Sequence, residues 1–367
     1  MRIAILTLPL HTNFGGILQC YALQTVLERM GHNVSVLNTD FEDINNKIRT
    51  KLFIKRLIKT ILWKESRFYG WKTEKEITQK YTQAFIRKHI HLLNVRDLSL
   101  LKENDFDVIV VGSDQIWRPL YYQLIANAYL KFAKDWTSIK RIAYAVSFGI
   151  DKWEYTQQET EECAALLKFF DAVSVRESSG VDLCKKYLNA EAVQMLDPTL
   201  LLTKEDYLNV AKNEVSPNNK GGLFYYFLDE TPEKIRLLKV LAKKYSLIQY
   251  CANNVNVENY SLSFERRIQL PVEQWIMGFH NASFVVTDSF HGCVFSIIFN
   301  KPFIAIGNKK RGYARFISLL SLFDLQDRLI DTDVRIPEIN EIDYTLVNEK
   351  LNLLRYNSYK FLENGLT

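Results

Sequence analysis

The stretch MRIAILTLPLHTNFGGILQCYALQTVLERMGHNVSVLN (residues 1–38) decides the architecture. Its apolar run predicts a strand over Arg2–Leu8. The next segment puts Ile17, Leu18, Tyr21, Val26, Leu27 and Met30 at helical spacing, and Gly31 ends the helix in the C′ manner. A second strand follows at Asn33–Asn38. Strand, helix and parallel strand in that order make a βαβ unit. Further β-type runs at Asp107–Val111, Arg141–Ser147, Ala172–Arg176 and Glu191–Leu196 extend it into a parallel sheet covered on both faces. The Asn-, Pro- and Gly-rich run NEVSPNNKGG (213–222) reads as a linker, after which the pattern restarts. Strands are expected at Gly222–Leu228, Leu247–Cys251, Arg266–Leu270, Ser283–Thr287 and Phe303–Ile306. Helices are expected at Thr231–Tyr245, with Thr231 as cap and Pro232 at the first helical position, at Val272–His280, and from Gly292. The expected units are therefore 1–212, 213–340 and a terminal helix over 341–367.

Composition agrees with a globular chain. Of 367 residues 47% are hydrophobic and 24% charged, which excludes disordered, collagen-like and coiled-coil classes. The net charge of +5 is uneven: residues 47–88 hold thirteen Lys or Arg against three acids, a net +10, so the rest carries −5. Within a basic amphipathic helical insertion expected over about 45–92, Ile54, Leu57, Ile58, Ile61 and Leu62 form an apolar line opposite Lys51, Lys55 and Lys59. That pattern suits an interfacial helix on an anionic membrane, or a helix docked on the protein with a solvated basic face. It argues against nucleic-acid binding, since no recognised binding module accompanies it. Cys20, Cys163, Cys184, Cys251 and Cys293 show no paired spacing and read as reduced thiols. With no signal-peptide or membrane-spanning pattern, the expected location is cytoplasmic, with peripheral contact at the inner face of the membrane.

Four blocks sit where strands run into helices, the place where open α/β sheets bind ligands. The first holds Asn13, Gly15, Gly16 and Gln19 at a helix N-terminus suited to an anion, although tight βα turns need glycine anyway. The second, Ser113-Asp114-Gln115-Ile116-Trp117, offers an acceptor, donors and a flat ring for a sugar; Asp114 could equally cap a helix. Third, Arg176 at a strand end suits a phosphate or carboxylate, or else forms a surface pair with Glu177. In the fourth, Thr287-Asp288-Ser289-Phe290-His291-Gly292, His291 can shuttle a proton near neutral pH. Lys309, Lys310 and Arg311 follow the last strand as a second anion site, or as a solvated charge run. No dinucleotide, P-loop, HExxH or Gly-x-Ser-x-Gly motif and no metal-ligand spacing is present, which argues against NAD-linked redox chemistry, P-loop hydrolysis, serine hydrolysis and zinc chemistry.

Taken together, the blocks NFGGILQCYALQ, FDVIVVGSDQIW, YAVSFG, DAVSVRESSG, LDPTLLL and VVTDSFHGCVFSIIFNKPFIAI resemble the polysaccharide pyruvyl transferases across most of residues 1–325. The resemblance implies an α/β fold of two Rossmann-like domains in a GT-B-like arrangement, with the active site in the cleft between them. It implies transfer of the enolpyruvyl group of phosphoenolpyruvate to two hydroxyls of a galactose-like sugar, in capsular or exopolysaccharide synthesis, with no cofactor and no metal. The acceptor would be a saccharide, free or lipid-linked. The family's histidine falls on His291 and its arginine on Arg176, with Asp114 expected to handle the acceptor hydroxyl. Ser289 stands where many members carry the Arg of Arg-x-His, and Gly16 where many carry Asp. Those departures leave Arg176, Lys309, Lys310 and Arg311 to hold the donor. They also keep two rivals in play, a nucleotide-sugar glycosyltransferase and a non-catalytic saccharide-binding protein.

Overall fold

The computed structural model describes residues 1–38, 71–212, 221–257, 259, 262–307, 312–331 and 340–367. Two all-parallel sheets organise them. The first contains β1 (Arg2–Leu6), β2 (Asn33–Asn38), β3 (Leu92–Asn94), β4 (Val108–Gly112), β5 (Lys140–Val146), β6 (Ala172–Val175) and β7 (Val193–Gln194), in the order β3-β2-β1-β4-β5-β6-β7. The second contains β8 (Leu223–Tyr226), β9 (Gln249–Tyr250), β10 (Phe284–Thr287), β11 (Phe303–Ile306) and β12 (Leu329–Ile330), in the order β12-β11-β10-β8-β9. The central strands VIVVG, FVVT and FIAI are buried along their whole length, as strands covered on both faces must be.

The helices are α1 (Phe14–Arg29), α2 (Trp71–Thr78), α3 (Lys80–His89), α4 (Gln157–Leu167), α5 (Ser178–Leu183), α6 (Lys204–Ala211), α7 (Pro232–Tyr245), α8 (Val272–Asn281), α9 (Phe290–Ile298), α10 (Tyr313–Ser321) and α11 (Tyr344–Leu366). Local signals fix several ends. Asn13 caps α1 by accepting from the Gly16 amide, and Thr231 caps α7 with Pro232 in its first turn. Helix α11 starts on the second unit, where the Tyr344 hydroxyl donates to the Lys301 carbonyl, and returns to the first. There Arg355 donates to the carbonyls of Leu200 and Leu202, and Gly365 lies against Ile142 and Ala172. One apolar core crosses the seam: Phe14 packs on Trp275 at 5.5 Å and Tyr207 on Phe295 at 4.8 Å. The result is a pair of Rossmann-like α/β units packed against each other, the two-unit arrangement that the resemblance implies.

The structure corrects one expected element. Arg266–Leu270 is not a strand; Phe264–Arg267 forms a short 3-10 turn. Its polar groups are consumed by the first unit, because Arg267 pairs with Glu74 at 2.6 Å and the Gln269 amide donates to the Thr78 carbonyl. Of the basic insertion, the line Ile54–Leu62 with Lys51, Lys55 and Lys59 lies outside the described residues, as does the linker Asn213–Lys220. The part that is described, α2 and α3, docks on the protein through Phe85 and Ile86 and through Glu74. Among the described residues no helix is long and apolar enough to cross a membrane.

Candidate active site

Each sheet has a point where its winding reverses, between β1 and β4 in the first and between β8 and β10 in the second. The turns leaving the carboxyl ends of those strands meet at the seam. From the first unit come Gly15 after β1, Asp114 after β4, Ser147 after β5 and Arg176 and Glu177 after β6. From the second comes His291, in the first turn of α9. Asp197, on the segment that follows β7, completes the group.

Arg176 is the hub. Its Nη1 donates to Asp197 Oδ2 at 2.7 Å, its Nη2 lies 3.5 Å from Asp114 Oδ1, and its Nε donates to Glu177 Oε1 at 3.3 Å. The guanidinium stacks 4.3 Å over the Phe290 ring. Asp197 Oδ1 accepts from the Thr199 amide and hydroxyl, while Oδ2 also lies 3.5 Å from His291 Nε2. Glu177 accepts from the Ser147 hydroxyl, and the Ser147 amide donates to the Asp114 carbonyl at 2.9 Å. Asp114 has φ of 59°, a left-handed conformation that aspartate tolerates better than most residues and that clusters at functional sites. The far side of His291 rests on α1: a Cβ placed on Gly15 would lie 2.0 Å from Nδ1. Glycine is thus required there by the imidazole of the other unit.

The electrostatics favour a charged network. Burial alone would push the Asp197 carboxyl up, yet His291, Arg176 and the Thr199 hydroxyl together hold it well below the usual carboxylate range. Burial likewise opposes the charge on Arg176, and Glu177, Asp197 and Asp114 overcome it. A second buried guanidinium, Arg315 on α10, lies 5.8 Å over the Phe290 ring. Burial first and then repulsion from Arg176 lower it to about 10, against the opposing pull of Glu177 and Asp114. Two cations are therefore held close together in a desolvated place, among the carboxylates of Asp114, Glu177 and Asp197.

Several expected site residues turn out to support the site from behind. Ser113 is fully buried, its hydroxyl donating to the Ala145 carbonyl and its amide to Gln19 Oε1. Gln19 also donates to the Thr7 hydroxyl and the Gly16 carbonyl, tying α1 to β1. Ser289 caps α9, accepting from the Gly292 amide, and its own amide donates to Thr287. Gln115 faces Arg118 at 3.5 Å. The Trp117 reading needs correction: its ring is wholly buried, stacked 4.5 Å from Tyr129, with its indole N–H donating to the Ala128 carbonyl, so it presents no face to a sugar. Nor do Arg176 and Glu177 form a surface pair, because both are buried. Asn13 is exposed, and Gly16 has 3.7 Å between a would-be Cβ and Asp114 Oδ2. Lys309, Lys310 and Arg311 lie outside the described residues. Sequence reasoning overlooked Asp197, Glu177 and Arg315 as site residues. Asp197 stands in the LDPTLLL block, and Arg315 is the single cation in the apolar run YARFISLL, which are the signals that mark them. Among the described residues no group of three His, Cys, Asp or Glu side chains is arranged to hold a metal.

The family model for polysaccharide pyruvyl transferase matches residues 13–310. No curated protein matches the chain. Among solved structures, the chain is similar to S. aureus MnaA with UDP, at 13% identity and a TM-score of 0.46, covering 98% of this chain and 91% of that one. It is also similar to Arabidopsis thaliana UGT89C1 with UDP-L-rhamnose, at 12% identity and a TM-score of 0.49, covering 99% and 98%. A third is UDP-GlcNAc 2-epimerase from Neisseria meningitidis bound to UDP-GlcNAc, at 9% identity and a TM-score of 0.48, covering 100% and 94%.

Proposed function

The chain belongs to the polysaccharide pyruvyl transferase family, and from that membership we propose that it moves the enolpyruvyl group of phosphoenolpyruvate onto two hydroxyls of one sugar, releasing phosphate. The observation that carries this reading is the meeting of His291 with Arg176, Asp197 and Asp114 between two switch points, with Arg315 beside them. Fully ionised phosphoenolpyruvate carries roughly three negative charges, for which paired guanidinium groups are the expected ligands. Because these side chains are buried where the units meet, donor entry requires the seam to open.

His291, as imidazolium beside Asp197, protonates the methylene carbon of the donor and leaves a cationic centre at C2. A sugar hydroxyl bonds to that carbon and gives up its proton to Asp114. The C2–O bond to phosphate then breaks with its electron pair on phosphate. The second hydroxyl closes the ketal, its proton returning to His291 while phosphate takes up the one held by Asp114. Arg176 and Arg315 hold the carboxylate and phosphate. When the acceptor is lipid-linked, it lies at the inner face of the cytoplasmic membrane, where the basic segment 47–88 would keep the protein as a peripheral partner. Flotation with anionic vesicles checks that placement: Lys51→Glu, Lys55→Glu and Lys59→Glu together should abolish binding.

The central test measures phosphate release from phosphoenolpyruvate across a panel of β-galactosides and other nitrophenyl sugars. Acceptor-dependent release is expected, and His291→Gln should lower it by about 10²–10⁴-fold. Release unchanged in His291→Gln overturns the assignment. Turnover of a nucleotide-sugar donor without use of phosphoenolpyruvate points instead to glycosyl transfer.

A further inference from the structure

The turn after Trp117 carries three large apolar side chains in the open within five residues: Leu120 is 66% exposed, Tyr121 40% and Leu124 53%. The turn is firmly built. Trp117, Tyr122 and Ile125 anchor it in the core, and the amides of Tyr121 and Tyr122 both donate to the Arg118 carbonyl. Core packing thus explains the residues that flank the exposed ones and leaves the exposed ones unexplained.

Position suggests the occupant. Tyr121 follows Asp114 by seven residues, and its ring lies 5.3 Å from the Arg118 guanidinium. Arg118 is buried and fixed by Glu154, with Nε–Oε2 at 2.8 Å and Nη2–Oε1 at 3.1 Å. It also touches the seam: a Cβ on Gly149 would lie 2.9 Å from Arg118 Cδ, and a Cβ on Gly312, at the start of α10, would lie 1.9 Å from the Gly149 carbonyl. The aromatic ring therefore stands at the outer edge of the buried cluster, accessible without any opening of the seam. A pyranose offers an apolar face of C–H groups rimmed by hydroxyls. An exposed ring beside a fixed guanidinium and a partly exposed carboxylate matches both features.

Resting on the proposed transfer to a sugar, we propose that Tyr121, flanked by Leu120 and Leu124, is the platform on which the acceptor glycoside stacks, with Arg118 and Glu154 holding its hydroxyls. The platform hands one edge of the sugar toward Asp114. It takes over the part that the buried Trp117 cannot play.

Calorimetric titration of the full-length protein with a panel of p-nitrophenyl hexosides, alongside phosphoenolpyruvate, tests the assignment. The tightest glycoside should bind Tyr121→Ala about tenfold more weakly than wild type, the size of one lost aromatic contact. Leu124→Ser should weaken it about threefold, and Tyr121→Trp should restore binding. Phosphoenolpyruvate should bind all variants within twofold of wild type, which separates a lost platform from a damaged fold. Glycoside affinity unchanged in Tyr121→Ala, equal weakening of both ligands, or no glycoside bound across the panel overturns the proposal. So does a defect confined to binding of anionic vesicles. Glycoside binding that depends on Tyr121 without phosphate release would leave the platform standing and remove the donor reading instead.

Discussion

Gly15 and Gly16 are neighbours in one helical turn, yet alanine should have opposite consequences at the two positions. A Cβ on Gly15 would lie 2.0 Å from His291 Nδ1, 2.4 Å from Cγ and 2.7 Å from Cε1. Ordinary contact between such atoms is about 3.5–4.0 Å, so the imidazole must retreat by roughly 1.5 Å. A displacement of about 1 Å in a reacting group can cost on the order of 10²-fold in rate, and loss of a general acid about 10²–10⁴-fold. Gly15→Ala should therefore lower phosphate release at least about 100-fold. Stability should change little, because a gain of about 1 kcal/mol in helix propensity offsets part of an overpacking cost of about 1–3 kcal/mol. At Gly16 the nearest atoms to a Cβ are Asp114 Oδ2 at 3.7 Å and the Asn13 side chain at 3.8 Å, which is normal packing. Gly16→Ala should keep turnover within about threefold. The readouts are steady-state phosphate release and urea denaturation of both variants. Near-normal turnover in Gly15→Ala, or equal losses at the two positions, would refute the claim that His291 works from its rest against α1.

Further outcomes follow from the same geometry. Arg315→Gln should raise the KM for phosphoenolpyruvate about 10–100-fold with a smaller change in kcat; a KM within twofold of wild type removes Arg315 from the donor site. Trp117→Ala should cost about 3–5 kcal/mol in urea denaturation, as expected of a large buried ring, and leave the KM for the glycoside near wild type in the folded fraction. The Asp197 carboxyl is held low in the folded protein and near 3.9 when unfolded, so its contribution is present above about pH 4 and lost as pH falls below that. Asp197→Asn should flatten the acid limb of stability below about pH 4; an unchanged limb would show that the carboxylate does not titrate as the network implies.

The elements legible in the sequence are those whose signals are local. Thr231 and Pro232 mark the start of α7, and the run Phe303–Ile306 is a strand from end to end, because caps and buried parallel strands are written in adjacent residues. Arg266–Leu270 misleads for a non-local reason: its partner Glu74 stands nearly two hundred positions away. Trp117 and Tyr121 show the same limit within one turn. Both are aromatic residues after a strand end, and only the packing of Tyr129 and Ala128 decides that the first is inside and the second outside. His291, Asp114 and Arg176 are found because each follows a strand end, whereas the sequence marks Asp197 only by its block, and its part in the site shows once Arg176 and His291 converge on it from different units.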